Sequence, residues 1–114
     1  MGGEVIEVLD EDDDLQAHVL TPGLTVLDFT ADWCPPCRRF APVFDASAGR
    51  HPDVRHVRVD VDYRPDLAAD FDVRGIPTTV VLRDGVMVRS VSGALDRHGL
   101  DELIDSARAG EVSA

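Results

Sequence analysis

The sequence predicts a single α/β domain, in which a mixed five-stranded sheet is flanked by four helices. Strand and helix patterns alternate through the first half of the chain, which is typical of parallel strands joined by helical crossovers. Asp84-Gly85 follows a β-branched run and predicts a tight hairpin, so the last two strands should be antiparallel. The chain has 114 residues, 44% of them hydrophobic, which suffices for one core but not for two.

The elements follow one another in the order β-α-β-α-β-α-β-β-α. Apolar or alternating runs predict strands over 4–9, 24–30, 57–62, 78–83 and 86–91. In the third predicted strand, 57–62, valines alternate with charged residues. We treat the whole chain, 1–114, as one domain with frayed ends at 1–3 and 110–114.

Four helices are predicted between these strands. The first starts in the acidic run 10–14 and ends at 21–23; the third starts at Pro65, and the last is capped by Asp96. The acidic run lacks the alternating ligands and glycine turn of a calcium loop, so we interpret it as a helix start. The second helix follows Cys37, ends at 49–52, and contains Pro42, which removes one backbone bond and should kink it.

Charge and hydropathy restrict the possible partners. The formal net charge is −11 and the isoelectric point is about 4.5, which opposes binding to nucleic acid or to anionic membranes. The sequence contains no apolar run of transmembrane length, and its acidic start, Met1 to Glu4, does not resemble a secretory signal. We therefore expect a cytoplasmic protein with no nucleic-acid or membrane partner.

The two cysteines lie in the segment Trp33-Cys34-Pro35-Pro36-Cys37, between a predicted buried strand and a predicted helix. The first turn of a helix offers free N–H groups and a partial positive charge, and both favour a thiolate. We therefore expect Cys34 to be the exposed nucleophile and Cys37, one turn further in, to be its resolving partner.

Three other uses of a cysteine pair were weighed. A zinc site needs about four ligands, and the four histidines show no ligand spacing with the pair. A structural disulfide closing so short a loop would add little stability. Inert core thiols would not explain the two prolines between them. The pair is best interpreted as redox-active, with no metal and no external cofactor.

Asp28 is the one charged residue in the apolar strand 24–30. A buried carboxylate is costly unless it has a partner or a function. One interpretation is a strand-end residue whose carboxylate reaches water. The other is a buried group with a raised pKa, close to the cysteines, that moves protons.

Several motifs together resemble the thioredoxin family. They are Val26-Leu27-Asp28-Phe29, the segment from Ala31 to Arg38 around the cysteines, Val73 to Thr78, Arg83-Asp84-Gly85, and Val91 to Ala94. They occur in the family's order and close to its spacing over nearly the whole chain. The resemblance implies the thioredoxin fold and a thiol–disulfide oxidoreductase that reduces protein disulfides, with a thioredoxin reductase as its electron donor.

The resemblance also implies roles for individual residues. Cys34 would attack a client disulfide, Cys37 would resolve the mixed disulfide, and Asp28 would transfer a proton for Cys37, through water. Pro77 would be cis, would pack against the cysteine pair, and would leave the Ile76 backbone free to bind a client strand. The expected substrate-binding set is Trp33, Pro35, Pro36, Ile76, Pro77 and Gly93. Arg58 and Pro42 are expected to support the site, and the protein is expected to be a monomer.

Three positions depart from the family pattern. Pro35 replaces a glycine and removes a backbone donor; a Pro35→Gly change should strengthen the Cys34 thiolate if the new N–H points at the sulfur. Arg58 replaces a lysine near the buried Asp28 and holds its charge in a more rigid geometry. Thr30 replaces an aromatic residue and leaves one wall of the active site smaller. Two alternative functions stay open, a reductant for one client and a non-catalytic binding subunit that docks partners at the Pro77 loop.

Overall fold

A computed structural model describes residues 4–8, 15 and 22–108. The strands are β1 (Val5–Val8), β2 (Leu24–Thr30), β3 (Arg55–Asp60), β4 (Thr78–Arg83) and β5 (Val86–Ser92). The helices of the described part are α1 (Pro35–Arg50), α2 (Pro65–Asp70) and α3 (Arg97–Arg108). The predicted helix after Asp10 lies outside the described residues except for Leu15, which is helical and buried. The expected frayed ends also lie outside them.

The five strands form one mixed sheet in the order β1-β3-β2-β4-β5. β3 is parallel to both β1 and β2, while β4 is antiparallel to β2 and to β5. This is the α/β fold that the sequence predicts. The edges are β1 and β5, and the pairing of β5 shifts register between Val81 and Leu82 of β4.

β2 is buried on both faces because hydrophobic residues cover the sheet from two sides. Its Leu27 and Phe29 point into a cluster with Leu67 of α2 and with Leu15. Val26, which precedes Leu27 in the strand, points to the opposite face. There the cover comes from α1 and α3, whose contributions are Phe40, Phe44, Leu100, Ile104 and Ala107. The face under α1 and α3 is the one that carries Asp28.

Two differences from the predicted boundaries bear on the site. β3 runs from Arg55 to Asp60 rather than from 57 to 62, and it ends at Asp60 because the chain turns there: the Asp60 carbonyl accepts from the N–H groups of Tyr63 and Arg64. α1 begins at Pro35, so Cys34 is its N-cap rather than a residue of its first turn. The predicted cap of α3 is confirmed, since Asp96 Oδ1 accepts from the Gly99 N–H at 2.8 Å.

His56 of β3 is a buried polar residue that the alternation pattern did not reveal. Its Nδ1 lies 2.9 Å from the Val54 carbonyl and its Nε2 lies 3.0 Å from Ser47 Oγ on α1. A carbonyl can only accept, so Nδ1 carries the hydrogen and Nε2 accepts from the hydroxyl. Burial lowers the pKa of His56 to about 4 and keeps the ring neutral.

None of the described helices is long and apolar enough to span a membrane.

The buried neutral His56 predicts a pH dependence of stability. The folded pKa lies below the unfolded value of about 6.5, so the unfolded chain takes up the proton first. Relative to a His56→Gln variant, the wild type should lose up to about 3 kcal/mol of unfolding free energy between about pH 6.5 and pH 4. Urea unfolding of both proteins across this range measures the difference. The exposed His98, changed to Gln, is the control and should leave the profile unchanged; a pH-independent difference for His56→Gln would contradict the prediction.

Candidate active site

The cysteines form a disulfide, Cys34–Cys37, where β2 passes into α1. Residues 31–33 turn the chain, and the Cys34 N–H donates to the Ala31 carbonyl at 3.3 Å. Cys34 then caps the helix, and its Sγ accepts from the Cys37 N–H at 3.3 Å. A backbone donor from the helix start therefore points at the sulfur of the expected nucleophile, where it stabilises negative charge.

Both cysteines are buried, which corrects the expectation that Cys34 is exposed. Cys34 is 3% exposed and Cys37 is 2% exposed. Ala31 is buried with them, and Val61 and Ile76 pack against the group. The Ile76 carbonyl lies 3.8 Å from Cys34 Sγ. The loop around Pro77, which the resemblance implied would pack against the pair, contributes Ile76 to the cover over Cys34.

The two prolines occupy the first two positions of α1. A capping side chain usually accepts from the N–H of the second or third helical residue. Pro36 has no N–H at the second position, so Cys37 at the third is the donor. Pro35 stands at the first position, where an N–H is not directed at the cap. The expected gain from Pro35→Gly therefore loses its geometric basis.

The Pro77 loop and the turn after β5 form a second part of the site. The Ile76–Pro77 peptide bond is cis, as the resemblance implied. Gly93 has a positive φ of 103°, which favours glycine, and its N–H donates to the Pro77 carbonyl at 2.8 Å. Ile76 contacts the cysteine group, while Pro77 is buried and Gly93 is exposed.

Trp33 gives the site an exposed aromatic surface. It is 63% exposed, yet its Nε1–H donates to Asp62 Oδ2 at 2.8 Å. Pro35 beside it is also exposed, and Pro36 is half-buried. The carboxylate of Asp62, in the loop after β3, thus orients a ring that borders the disulfide.

Asp28 lies at the centre of the sheet and is 1% exposed, which excludes a carboxylate that reaches water. Burial raises its pKa to about 6, and the positive charge of Arg58 only partly opposes this effect. Arg58 Nε lies 3.5 Å from Asp28 Oδ2, longer than a typical N–H···O distance of about 2.9 Å. The other oxygen, Oδ1, has no hydrogen-bond partner within the described ranges.

The Arg58 guanidinium contacts two carboxylates, those of Asp28 and Asp45. Its second contact, from a terminal nitrogen to Asp45 Oδ1 on α1, is 2.7 Å and so is the closer one. The guanidinium also lies over the Phe44 ring, 5.5 Å from its centroid. Asp45 therefore holds Arg58 partly away from Asp28, which is one reason why burial prevails in setting the Asp28 pKa.

Sequence reasoning missed two residues of this site, Asp62 and Asp45. Asp62 lies two residues after β3, a strand that runs parallel to β2, and that position could have indicated it, because such strands end at the same edge. Asp45 has no local signal, since its contact with Arg58 depends on how α1 packs against the sheet. Pro42 lies inside α1 on an exposed position, away from the cysteine group. Thr30, the smaller wall residue, is half-buried.

Across the described residues no three His, Cys, Asp or Glu side chains gather as metal ligands. The chemistry that the arrangement offers is a two-electron exchange between a disulfide and a dithiol at the start of α1. The strand that leads to it, β2, carries the Asp28 carboxyl, whose pKa burial raises to about 6.

Comparisons with known proteins agree with this chemistry. The family model described as Thioredoxin matches residues 5–106. A Streptomyces coelicolor relative, provisionally named thioredoxin 2, is 39% identical over 83 residues, which cover 73% of this chain and 62% of that protein. The chain thus spans less than two thirds of that relative. The thioredoxin of Staphylococcus saprophyticus is 36% identical over 104 residues, which cover 89% of this chain and 95% of that protein.

The solved structure of a mutant thioredoxin from Halobacterium salinarum matches with a TM-score of 0.84 at 35% identity, covering 91% of this chain and 90% of that one. The family model extends over most of the chain, and the redox-capable pair lies within the matched residues. The chain therefore belongs to the thioredoxin family of thiol–disulfide oxidoreductases.

Proposed function

We propose that this chain is a general protein-disulfide reductase that cycles between the Cys34–Cys37 disulfide and the dithiol. The observation that carries the proposal is the helix-start geometry, in which the Cys37 N–H donates to Cys34 Sγ, at the end of the strand that contains the buried Asp28. This arrangement offers a stabilised sulfur to a client and a resolving sulfur one helical turn away. The cycle requires no external cofactor, because the two sulfurs carry both electrons.

In the first step the Cys34 thiolate attacks one sulfur of a client disulfide. A Cys34–client S–S bond forms, the client S–S bond breaks, and the other client sulfur leaves as a thiolate that takes a proton from water. The Cys37 N–H supports the Cys34 thiolate before the attack.

In the second step Cys37 loses its proton to the Asp28 carboxylate, and its thiolate attacks Cys34 Sγ. The Cys34–Cys37 bond forms and the client leaves as a thiolate, so two electrons have passed from the protein to the client. Asp28 then returns its proton to the departing sulfur or to water. A carboxyl whose pKa is about 6 can accept and release a proton near neutral pH.

The client would lie across the rim formed by the cysteine loop and the Pro77 loop. Trp33 and Pro35 offer exposed apolar surface, and the Ile76 backbone borders Cys34. An extended client segment would pair with the backbone at Ile76 and Gly93, in the manner of an added strand. Pro36 and Pro77 hold the two loops in shape, and Arg58 adjusts the charge of Asp28.

The reducing partner in this proposal is a thioredoxin reductase, and the clients are disulfide-containing proteins. We further propose that the protein works as a single-domain monomer in the cytoplasm. The test is reduction of insulin, followed by turbidity, with either NADPH and a thioredoxin reductase or dithiothreitol as the electron source. Turnover with both supports the proposal. Turnover with dithiothreitol alone indicates a different reductase, and no turnover with either indicates a binding subunit.

Substitution of each cysteine should separate the two steps. Cys34→Ser should abolish insulin reduction, because no nucleophile remains. Cys37→Ser should instead accumulate a client joined to Cys34, because the mixed disulfide cannot be resolved. Mass spectrometry of the trapped adduct identifies the linked cysteine. Alkylation of the reduced wild type at neutral pH provides the check: labelling of Cys37 before Cys34 would reverse the assignment.

Asp28→Asn should slow the second step and stabilise the fold. Because the folded pKa lies above the unfolded value, the wild type loses stability as pH rises from about 4 to about 6. The variant avoids this loss, so its unfolding free energy should exceed that of the wild type by about 3 kcal/mol above pH 6 and by nothing below pH 4.

Urea unfolding at several pH values measures the stability of Asp28→Asn, and single-turnover kinetics measure the rate. Asp70→Asn, at an exposed position of α2, removes the same charge and is the control. Unchanged kinetics together with a lower stability at pH 7 would contradict the proton-transfer role of Asp28.

A further inference from the structure

Three polar side chains form a row across the middle of the sheet. Asp28 of β2 pairs with Arg58 of β3 on one side and with Thr79 of β4 on the other. Residues directly opposite each other in neighbouring strands point to the same face, with Cβ atoms about 4.5–5.5 Å apart in antiparallel pairs. All three therefore face α1 and α3. The carboxylate of Asp28 lies between a cation and a hydroxyl.

Thr79 is unusual in this position. It is 0% exposed, and its neighbour on the same face of β4, Val81, belongs to the hydrophobic cluster under α1 and α3. Its Oγ1 is fully buried and has no hydrogen-bond partner among residues 4–8, 15 and 22–108. A valine would fill the same volume without burying a hydroxyl, so the hydroxyl costs stability unless it meets a polar group.

Asp28 Oδ1 is the polar group that meets this requirement. It too is fully buried and has no partner within the same residues, because Arg58 approaches the other oxygen, Oδ2. Two unsatisfied buried atoms thus stand on directly paired residues, and one is a donor while the other is an acceptor.

We propose that Thr79 is a positioning residue for the proton transfer: its hydroxyl donates to Asp28 Oδ1, directly or across one water, and holds the carboxyl in place for the resolving step. The inference rests on the proposed role of Asp28 and deepens it. Arg58 fixes one carboxylate oxygen and Thr79 fixes the other, so the carboxyl group cannot rotate freely.

The charged groups that act on Asp28 are few. β3 contributes Arg58, and α1 contributes Asp45. α3 covers this face with Leu100, Ile104 and Ala107, which carry no charge. β4 contributes only the Thr79 hydroxyl at the paired position. A hydrogen bond to the charged form of a carboxyl lowers its pKa, so removing the hydroxyl should raise the pKa of Asp28.

The test uses full-length protein whose Cys34 has been joined to thionitrobenzoate at low pH. After a jump to higher pH, Cys37 displaces the coloured thiolate, and the rate reports the resolving step. In Thr79→Val the midpoint of the pH profile should rise by about one unit, the order expected for losing one hydrogen bond to a charged group. At the pH of the wild-type midpoint the rate should then fall about fivefold, whereas the rate two pH units higher should change little.

Three matched variants keep the test decisive. Thr79→Ser retains the hydroxyl and should keep the wild-type profile. Thr25→Val removes a buried threonine hydroxyl from the other face of the sheet and should also keep it. In a protein that already carries Asp28→Asn, adding Thr79→Val should not change the rate of the resolving step further. Carbon-13 NMR titration of the Asp28 carboxyl measures its pKa directly, and urea unfolding shows that each variant is folded.

The outcomes separate the inference from the proposed function. If Asp28→Asn slows the resolving step as expected but Thr79→Val shifts neither the pH profile nor the carbon-13 titration, the role of Thr79 alone is overturned. Equal slowing by Thr79→Val with and without Asp28 would also overturn it, since the effect would then be structural. Wild-type resolution in Asp28→Asn would overturn the proton transfer itself and, with it, the inference.

Discussion

The burial of one carboxylate, Asp28, is the constraint on which the site depends. Removing a charged carboxylate from water is costly, and the fold offsets this cost only in part. Arg58 must reach it from β3, and Arg58 is itself held by Asp45 on α1. One charge at the sheet centre thus links two strands and the helix that begins at the cysteines. If a cation bonded the Asp28 carboxylate more closely than Arg58 does, the pKa of Asp28 would fall towards that of an ordinary carboxyl.

The cysteine pair depends on a second local constraint, the shortage of backbone donors at the start of α1. Two consecutive prolines leave the Cys37 N–H as the donor to Cys34 Sγ. The same prolines have fixed φ angles, which suit the first positions of a helix. The helix start is therefore rigid and offers a single directed hydrogen bond to the sulfur. The aromatic rim, in contrast, is shaped by a contact from another loop, between Trp33 and Asp62.

Features with local causes could be predicted from the sequence, and features with non-local causes could not. The Cys34–Cys37 junction, the Asp96 cap and the hairpin at Asp84-Gly85 each follow from neighbouring residues. The burial of Asp28 also followed from its apolar strand. The burial of Cys34 did not, because it depends on the Ile76 loop, 42 residues further along the chain, whose packing against the pair only the family resemblance implied.

Strand register and helix packing explain the other features that could not be predicted from the sequence. Thr79 faces Asp28 only because β4 pairs with β2 in one particular alignment, and a shift of one residue would place it on the other face. Asp45 reaches Arg58 because α1 packs across β3 at that point. His56 lay outside the predicted strand, and its hydrogen bond to Ser47 depends on how α1 packs over β3.

The edge strand β5 has a consequence for the protein in concentrated solution. Val86 and Met87 are 65% and 46% exposed on it, and an edge strand has free backbone groups that can pair with another molecule. The register shift opposite β5 distorts this edge, and the net charge of −11 makes separate molecules repel one another. That repulsion disappears near the isoelectric point of about 4.5. The negative charge of the protein thus opposes self-association. Mildly acidic, salt-rich solutions weaken this repulsion, and in them edge-to-edge association becomes favourable.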